Sequence, residues 1–156
     1  MTSLFPLFID LSDKQCLIIG AGKVAQRKIL TLLKFTENIT VISPKVTDTI
    51  LKIAEENEIK LIKKAFCEAD INGYFLVVAA TDNRELNHLI SIICKSKDIF
   101  VNVADSYEDC TFVFPAVSKY NNIVAGITSS GQNPKLTKEL RKKIDKILNE
   151  ISNETE

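Results

Sequence analysis

Apolar and polar positions follow two periods over the first two thirds of the chain. Short apolar runs at 15–19, 39–42, 59–62, 74–80 and 99–103 predict five strands. Between them, apolar residues recur at helical spacing. Val24, Ile29, Leu30, Leu32 and Leu33 predict one helix, Val46, Ile50, Ile53 and Ala54 a second over about 46–57. Leu86, Leu89, Ile90 and Ile93 predict a third, which Asn83 can cap. Ser43-Pro44 ends the second strand. The run at 74–80 is almost uninterrupted, as a central strand covered on both faces requires. Strands alternating with helices predict an α/β fold, a Rossmann-like doubly wound parallel sheet with right-handed crossovers.

Beyond residue 110 the pattern changes. Two β-like runs, 112–118 and 123–128, flank Lys119-Tyr120-Asn121-Asn122 and predict a hairpin. Asn133-Pro134 then sets a capping residue before a proline at the first helical position. Leu136, Leu140, Ile144, Ile147, Leu148 and Ile151 form the stripe of the helix that follows. The chain is thus expected to divide into a nucleotide-binding domain, 1–111, and a hairpin and helix, 112–156. The stripe of that helix either packs on the protein's own sheet or forms the seam of a homodimer.

Composition narrows the classes. A chain of 156 residues with 46% hydrophobic content can bury one sizeable core. Lys+Arg and Asp+Glu are both 20, so bulk attraction to nucleic acid or to an anionic membrane is not indicated. The first ten residues lack a basic stretch and are broken by Pro6 and Asp10, unlike a signal peptide. No uncharged run approaches the ~20 residues that span a bilayer. Cys16, Cys67, Cys94 and Cys110 are scattered with no Cys-x-x-Cys pair. They read as free thiols of a reducing cytoplasm, with no metal site.

Candidate chemistry gathers at the expected carboxyl ends of the strands, where open parallel sheets bind ligands. Gly20, Gly22 and Ala25 make a Gly-x-Gly-x-x-Ala pattern between the first strand and first helix. Gly20 allows the turn, Gly22 lets backbone approach a pyrophosphate, and Ala25 permits close helix–strand packing. With Lys23 and Val24 they form the predicted cofactor cradle at a helix N-terminus. Thr81-Asp82 ends the fourth strand on the cofactor side. The second strand ends in Ser43-Pro44-Lys45 rather than the common Asp or Glu. Ser43 can donate to a ribose, and Lys45 can tolerate a 2′-phosphate, so these residues do not separate NAD from NADP; equally, Ser43-Pro44 can simply end the strand. The third cluster, Asn102 to Asp105, offers Asp105 as a general base, or as a turn cap. His88, the only histidine, reads as a surface or partly packed helix position. Lys135, Lys138, Arg141 and Lys142 lie in a basic stretch that suits either a polycarboxylate substrate or a solvated helix face.

Six blocks occur in order: Leu4-Phe5-Pro6-Leu7-Phe8, Gly-Ala-Gly-Lys-Val-Ala-Gln-Arg-Lys (20–28), Val-Val-Ala-Ala-Thr-Asp-Asn-Arg-Glu-Leu-Asn (77–87), Val-Asn-Val-Ala-Asp (101–105), Cys-Thr-Phe-Val-Phe-Pro-Ala (110–116) and Ile-Thr-Ser-Ser-Gly-Gln-Asn-Pro-Lys-Leu (127–136). Together they resemble the precorrin-2 dehydrogenase family, the NAD-dependent module at the front of bifunctional siroheme synthases. The resemblance implies oxidation of precorrin-2 to sirohydrochlorin, with NAD accepting the hydride and Asp105 as the catalytic aspartate. It implies a homodimer joined through the region after the sheet. It also places Asn102, Ser129 and Lys135 on the side of the tetrapyrrole substrate, although Ser129 can equally serve its own loop. Many relatives continue into a further helical domain, whereas this sequence ends at Glu156, which leaves closure over the substrate and iron insertion open. The alternative is a nucleotide-sensing regulatory module without catalysis. Such a module would be expected to carry an acidic residue where Ser43 stands.

Overall fold

The computed structural model describes residues 4–153, which form two compact units, Ile9–Phe112 and 4–8 with 113–153. The first unit runs β1 (Cys16–Ile19), α1 (Lys23–Leu32), β2 (Ile39–Ile42), α2 (Asp48–Glu55), β3 (Lys60–Ile62), a 3-10 turn (Glu68–Ile71), β4 (Leu76–Ala79), α3 (Arg84–Ser96) and β5 (Phe100–Val103). The strands are all parallel in the order β3-β2-β1-β4-β5, so the order reverses between β1 and β4. Ile19 lies opposite Ile42 on one side and Ala79 on the other. Every residue of β1, β2 and β4 is buried, which is why β1 and β4 read as unbroken apolar runs and only Thr40 interrupts β2. Leu17, Val77, Val101 and Ile90 belong to the core between the sheet and α3.

Helix faces differ in detail from the periodicity reading. On α1 the core face is Ala25, Ile29 and Leu32, whereas Val24 and Leu30 are exposed. Neighbouring helical positions are rotated by about 100°, so Val24 cannot share a face with Ala25. Likewise Leu89 is exposed while α3 buries Asn87, Ile90, Ser91, Ile93 and Cys94. The α2 helix is shorter than expected: Asn57 takes a left-handed φ of 60° after it, which stops propagation.

In the second unit, β6 (Ala116–Tyr120) and β7 (Ile123–Ile127) form an antiparallel hairpin. Tyr120 pairs with Ile123, leaving a two-residue Asn121-Asn122 turn in which Asn121 has φ 47°. The run expected at 112–118 is therefore corrected: 112–115 is irregular, and Lys119 and Tyr120 belong to the strand. Pro115 has no N–H to give a ladder. Thr111, just before, is committed to β5, its N–H donating to Val101 O at 2.9 Å. Helix α4 (Pro134–Asn153) starts as expected, with Asn133 Oδ1 accepting from Leu136 N at 3.0 Å. It packs on the hairpin, where the buried Ser118 hydroxyl donates to Arg141 O at 3.3 Å. Leu136, Leu140, Ile147 and Ile151 stay exposed.

Candidate functional site

The carboxyl ends of β1 and β4 flank the reversal in strand order, with the β5 end next to β4. Ladder bonds run up to the turn itself: Gly20 N donates to Ile42 O at 2.9 Å, Ala80 N to Ile19 O at 2.8 Å and Ala104 N to Ala79 O at 2.9 Å. Gly20 has φ +105°, and a Cβ there would stand 2.3 Å from Ala80 O. The glycine lets the turn cross the end of β4.

Gly22 serves a different purpose. It is the N-cap of α1, and a Cβ built on it meets nothing within 4 Å. The first amide answered by the helical ladder is Gln26 N, which donates to Gly22 O at 2.9 Å. The amides of Lys23, Val24 and Ala25 precede it without an intrahelical acceptor, and the first turn carries no acidic side chain. Open space above a glycine, orphan amides and the positive end of a helix dipole fit a dinucleotide pyrophosphate. Ala25 lies fully buried beneath them.

At the end of β2, Ser43 is buried and its hydroxyl donates to Lys45 O at 2.6 Å. Its proton is spent on its own turn, leaving the oxygen as an acceptor. Thr47 N donates to Ala21 O at 3.3 Å, tying this segment to the glycine turn. At the end of β4, Thr81 is held by Asn87 of α3. Asn87 Oδ1 accepts from Thr81 N at 3.1 Å and from its hydroxyl at 2.7 Å, and Asn87 Nδ2 donates to Thr81 O at 3.1 Å. Asn83 Oδ1 caps α3 by accepting from Leu86 N at 3.0 Å, and Asp82 projects exposed before it.

Asn102 on β5 is buried with both ends of its amide engaged. Its Oδ1 accepts from Lys28 Nζ at 2.7 Å, and its Nδ2 donates to Phe112 O at 3.2 Å. Burial pushes the Lys28 amine down to about 8, with Arg27 acting in the same direction. Asp105 follows the strand end and is exposed, with Arg84 Nη1 3.7 Å from its Oδ1. The same guanidinium stands 2.6 Å from Asp109 Oδ2. Asp109 is held at about 2, first by Arg84, then with help from Ser106 and His88 against its burial. His88 lies on the helix surface as expected, but its Nδ1 contacts Asp109 Oδ1 at 2.9 Å.

The first unit therefore gathers Gly20, Gly22, Lys23, Val24, Ala25, Ser43, Thr81, Asp82, Asn102 and Asp105 at one edge of the sheet. Strand spacing of about 4.8 Å sets the β5 end roughly 10 Å from β1. Ser129 and Lys135 belong to the second unit. Ser129 Oγ accepts from Asn133 N at 3.0 Å and lies 2.9 Å from the Thr137 hydroxyl, so it braces the start of α4. Lys135 is exposed on the first turn of α4. Sequence reasoning missed Lys28, Asn87 and Asp109. Lys28 and Asn87 are polar positions at helical spacing from the predicted core residues Val24 and Ile90, whereas Asp109 lies between the predicted fifth strand and the hairpin, where no period marks it.

A family model described as "Putative NAD(P)-binding" matches residues 7–116. A "Probable multifunctional siroheme biosynthesis protein HemA" of Ruminiclostridium josui is 39% identical over 144 residues, 92% of this chain and 28% of that protein. A siroheme synthase of Pseudoalteromonas translucida is 37% identical over 143 residues, 92% of this chain and 30% of that protein. The chain thus spans less than a third of the length of these curated relatives. Among solved structures, SirC, a precorrin-2 dehydrogenase, superposes with a TM-score of 0.82 at 25% identity, covering 92% of this chain and 70% of that one.

Proposed function

The chain belongs to the NAD(P)-binding family, and from that premise we propose that it oxidises precorrin-2 to sirohydrochlorin with NAD as acceptor. The observation that carries this reading is the open, glycine-built start of α1 beside the β4 and β5 ends that bear Thr81 and Asp105. Bound there, NAD supplies a nicotinamide that can take a hydride. The chain's own residues do the rest. Gly22 and the amides of Lys23, Val24 and Ala25 hold the pyrophosphate. Ser43 and Thr81-Asp82 flank the remainder of the cofactor. Asp105 accepts the proton that leaves precorrin-2 with the hydride, so each turnover yields one reduced nicotinamide and one proton. Asn102 keeps the β5 end in place through Lys28 and Phe112. Ser129 and Lys135 are assigned to the carboxylates of the tetrapyrrole.

The protein is further proposed to act in the cytoplasm as a homodimer. Among the described residues no helix is long and apolar enough to cross a membrane. The exposed apolar stripe of α4 supports the dimer, as large apolar patches mark association surfaces.

The test mixes purified protein with precorrin-2 and NAD or NADP, following reduced nicotinamide and tetrapyrrole absorbance together. Both signals are expected to move in parallel with NAD, and Asp105→Asn is expected to abolish them while NAD still binds. No turnover with either cofactor overturns the reading. Binding of NAD without oxidation would favour the nucleotide-sensing alternative.

A further inference from the structure

Arg84, His88, Ser91 and Lys95 recur at i, i+4, i+7 and i+11 on α3, so they share one helix face. All four reach the segment that follows β5. Arg84 spans Asp105 at 3.7 Å and Asp109 at 2.6 Å. His88 Nδ1 meets Asp109 Oδ1 at 2.9 Å, and the Ser91 hydroxyl donates to Asp109 O at 2.6 Å. Lys95 Nζ donates to Glu108 O at 3.4 Å. The carboxylate proposed as general base therefore stands on a segment fastened along a whole helix face.

We propose that Arg84 is the positioning residue for Asp105, with Asp109 as its anchor and His88 as the support of that anchor. The inference rests on the reading of Asp105 as the base. An exposed ion pair such as Arg84–Asp105 contributes little by itself. What matters is that the other arm of the guanidinium closes a 2.6 Å ion pair with Asp109, whose side chain is only 10% exposed. A planar fork pinned on one arm presents its other arm in one place, and a lysine cannot copy that with a single nitrogen. The segment and its carboxylate are thereby held at the edge of the β5 end, where a proton leaving the substrate has to be met.

The experiment compares wild type, Arg84→Gln and Arg84→Lys by steady-state oxidation of precorrin-2, NAD binding and thermal unfolding. Arg84→Gln is expected to lose stability, because the buried Asp109 carboxylate loses its cation. It should lower kcat by roughly tenfold to a hundredfold through misplacement of the base, with KM and NAD affinity unchanged. Arg84→Lys keeps one cation on Asp109 but releases Asp105. It should recover the unfolding temperature and leave kcat near the Arg84→Gln value. Recovery of kcat in step with stability in the lysine variant would make Arg84 a structural strut and overturn the proposal. So would a wild-type kcat in Arg84→Gln, or a rise in KM for precorrin-2 at unchanged kcat, which would mark a substrate contact. A wild type that never turns over precorrin-2 overturns the functional reading itself, and this proposal falls with it.

Discussion

A Cβ on Gly20 would lie 2.3 Å from the carbonyl oxygen of Ala80, while one on Gly22, two residues on, would meet nothing within 4 Å. The two glycines of the turn thus answer to different demands, one to the sheet and one to the ligand. Gly20→Ala is expected to destabilise the fold by at least the ~1–3 kcal/mol of its left-handed φ, with the collision against Ala80 added. Gly22→Asp is expected to do the opposite. Aspartate is a favoured N-cap and suits the positive end of α1, so stability should hold or rise. Its charge and bulk occupy the pyrophosphate position, so NAD affinity should collapse. Urea unfolding and NAD titration of both variants separate the two roles. Equal loss of stability in both would show that Gly22, too, is a packing residue.

Asn87 and Thr81 carry the same logic into α3. Asn87 is fully buried, and both ends of its amide are spent on Thr81. Asn87→Leu keeps the volume but leaves the Thr81 N–H and carbonyl without those partners, at a cost of about 2–4 kcal/mol. Because the Thr81-Asp82 turn flanks the proposed cofactor site, NAD affinity should fall as well. A stability loss with untouched NAD binding would separate Thr81 from the cofactor.

Lys28 gives a pH signature. Its amine is pushed from 10.5 down to about 8 in the folded chain. Between those values the unfolded chain holds a proton that the folded chain has released, so stability from this group rises with pH across that window. The slope approaches ~1.4 kcal/mol per pH unit where the two states differ by a whole proton. Lys28→Met removes this contribution. The stability difference between wild type and variant should be flat below about 8 and should widen in favour of wild type towards 10.5. Chemical denaturation in parallel over that range reads it directly, and a difference that never changes with pH would refute the assignment.

The strands and the glycine turn were legible because their cause is local. Unbroken apolar runs such as Leu76–Ala79 report burial on both faces, and Asn83 and Asn133 announce helix starts whose caps the structure contains. The supports of the site were not legible, because their partners are distant in sequence. Lys28 meets Asn102 across 74 positions and His88 meets Asp109 across 21, and no period in the sequence links such pairs. Val24 was misread for another reason: it is apolar yet exposed at the helix start, one position off the face that Ala25 and Ile29 bury. The irregular path at 112–115 shows the same limit, since β-forming residues there precede a proline that cannot join a ladder.

The apolar stripe of α4 leads to the last prediction. Leu136, Leu140, Ile147 and Ile151 fall at i, i+4, i+11 and i+15, one line along the helix, and each is 40–53% exposed. Arg141 sits off this line, its carbonyl accepting from Ser118 of the hairpin. Substitutions on the stripe should therefore leave the packing of α4 on the hairpin intact. Finishing the burial of such a half-exposed side chain contributes about 1 kcal/mol. In a two-fold dimer every substitution counts twice. Leu140→Lys with Ile147→Lys removes four such contributions and sets four ammonium groups into the seam. The variant should sediment as a folded monomer at concentrations where wild type is a dimer. A wild type that stays monomeric at every concentration would remove the dimer from the functional reading, and a variant that stays dimeric would move the seam to another face.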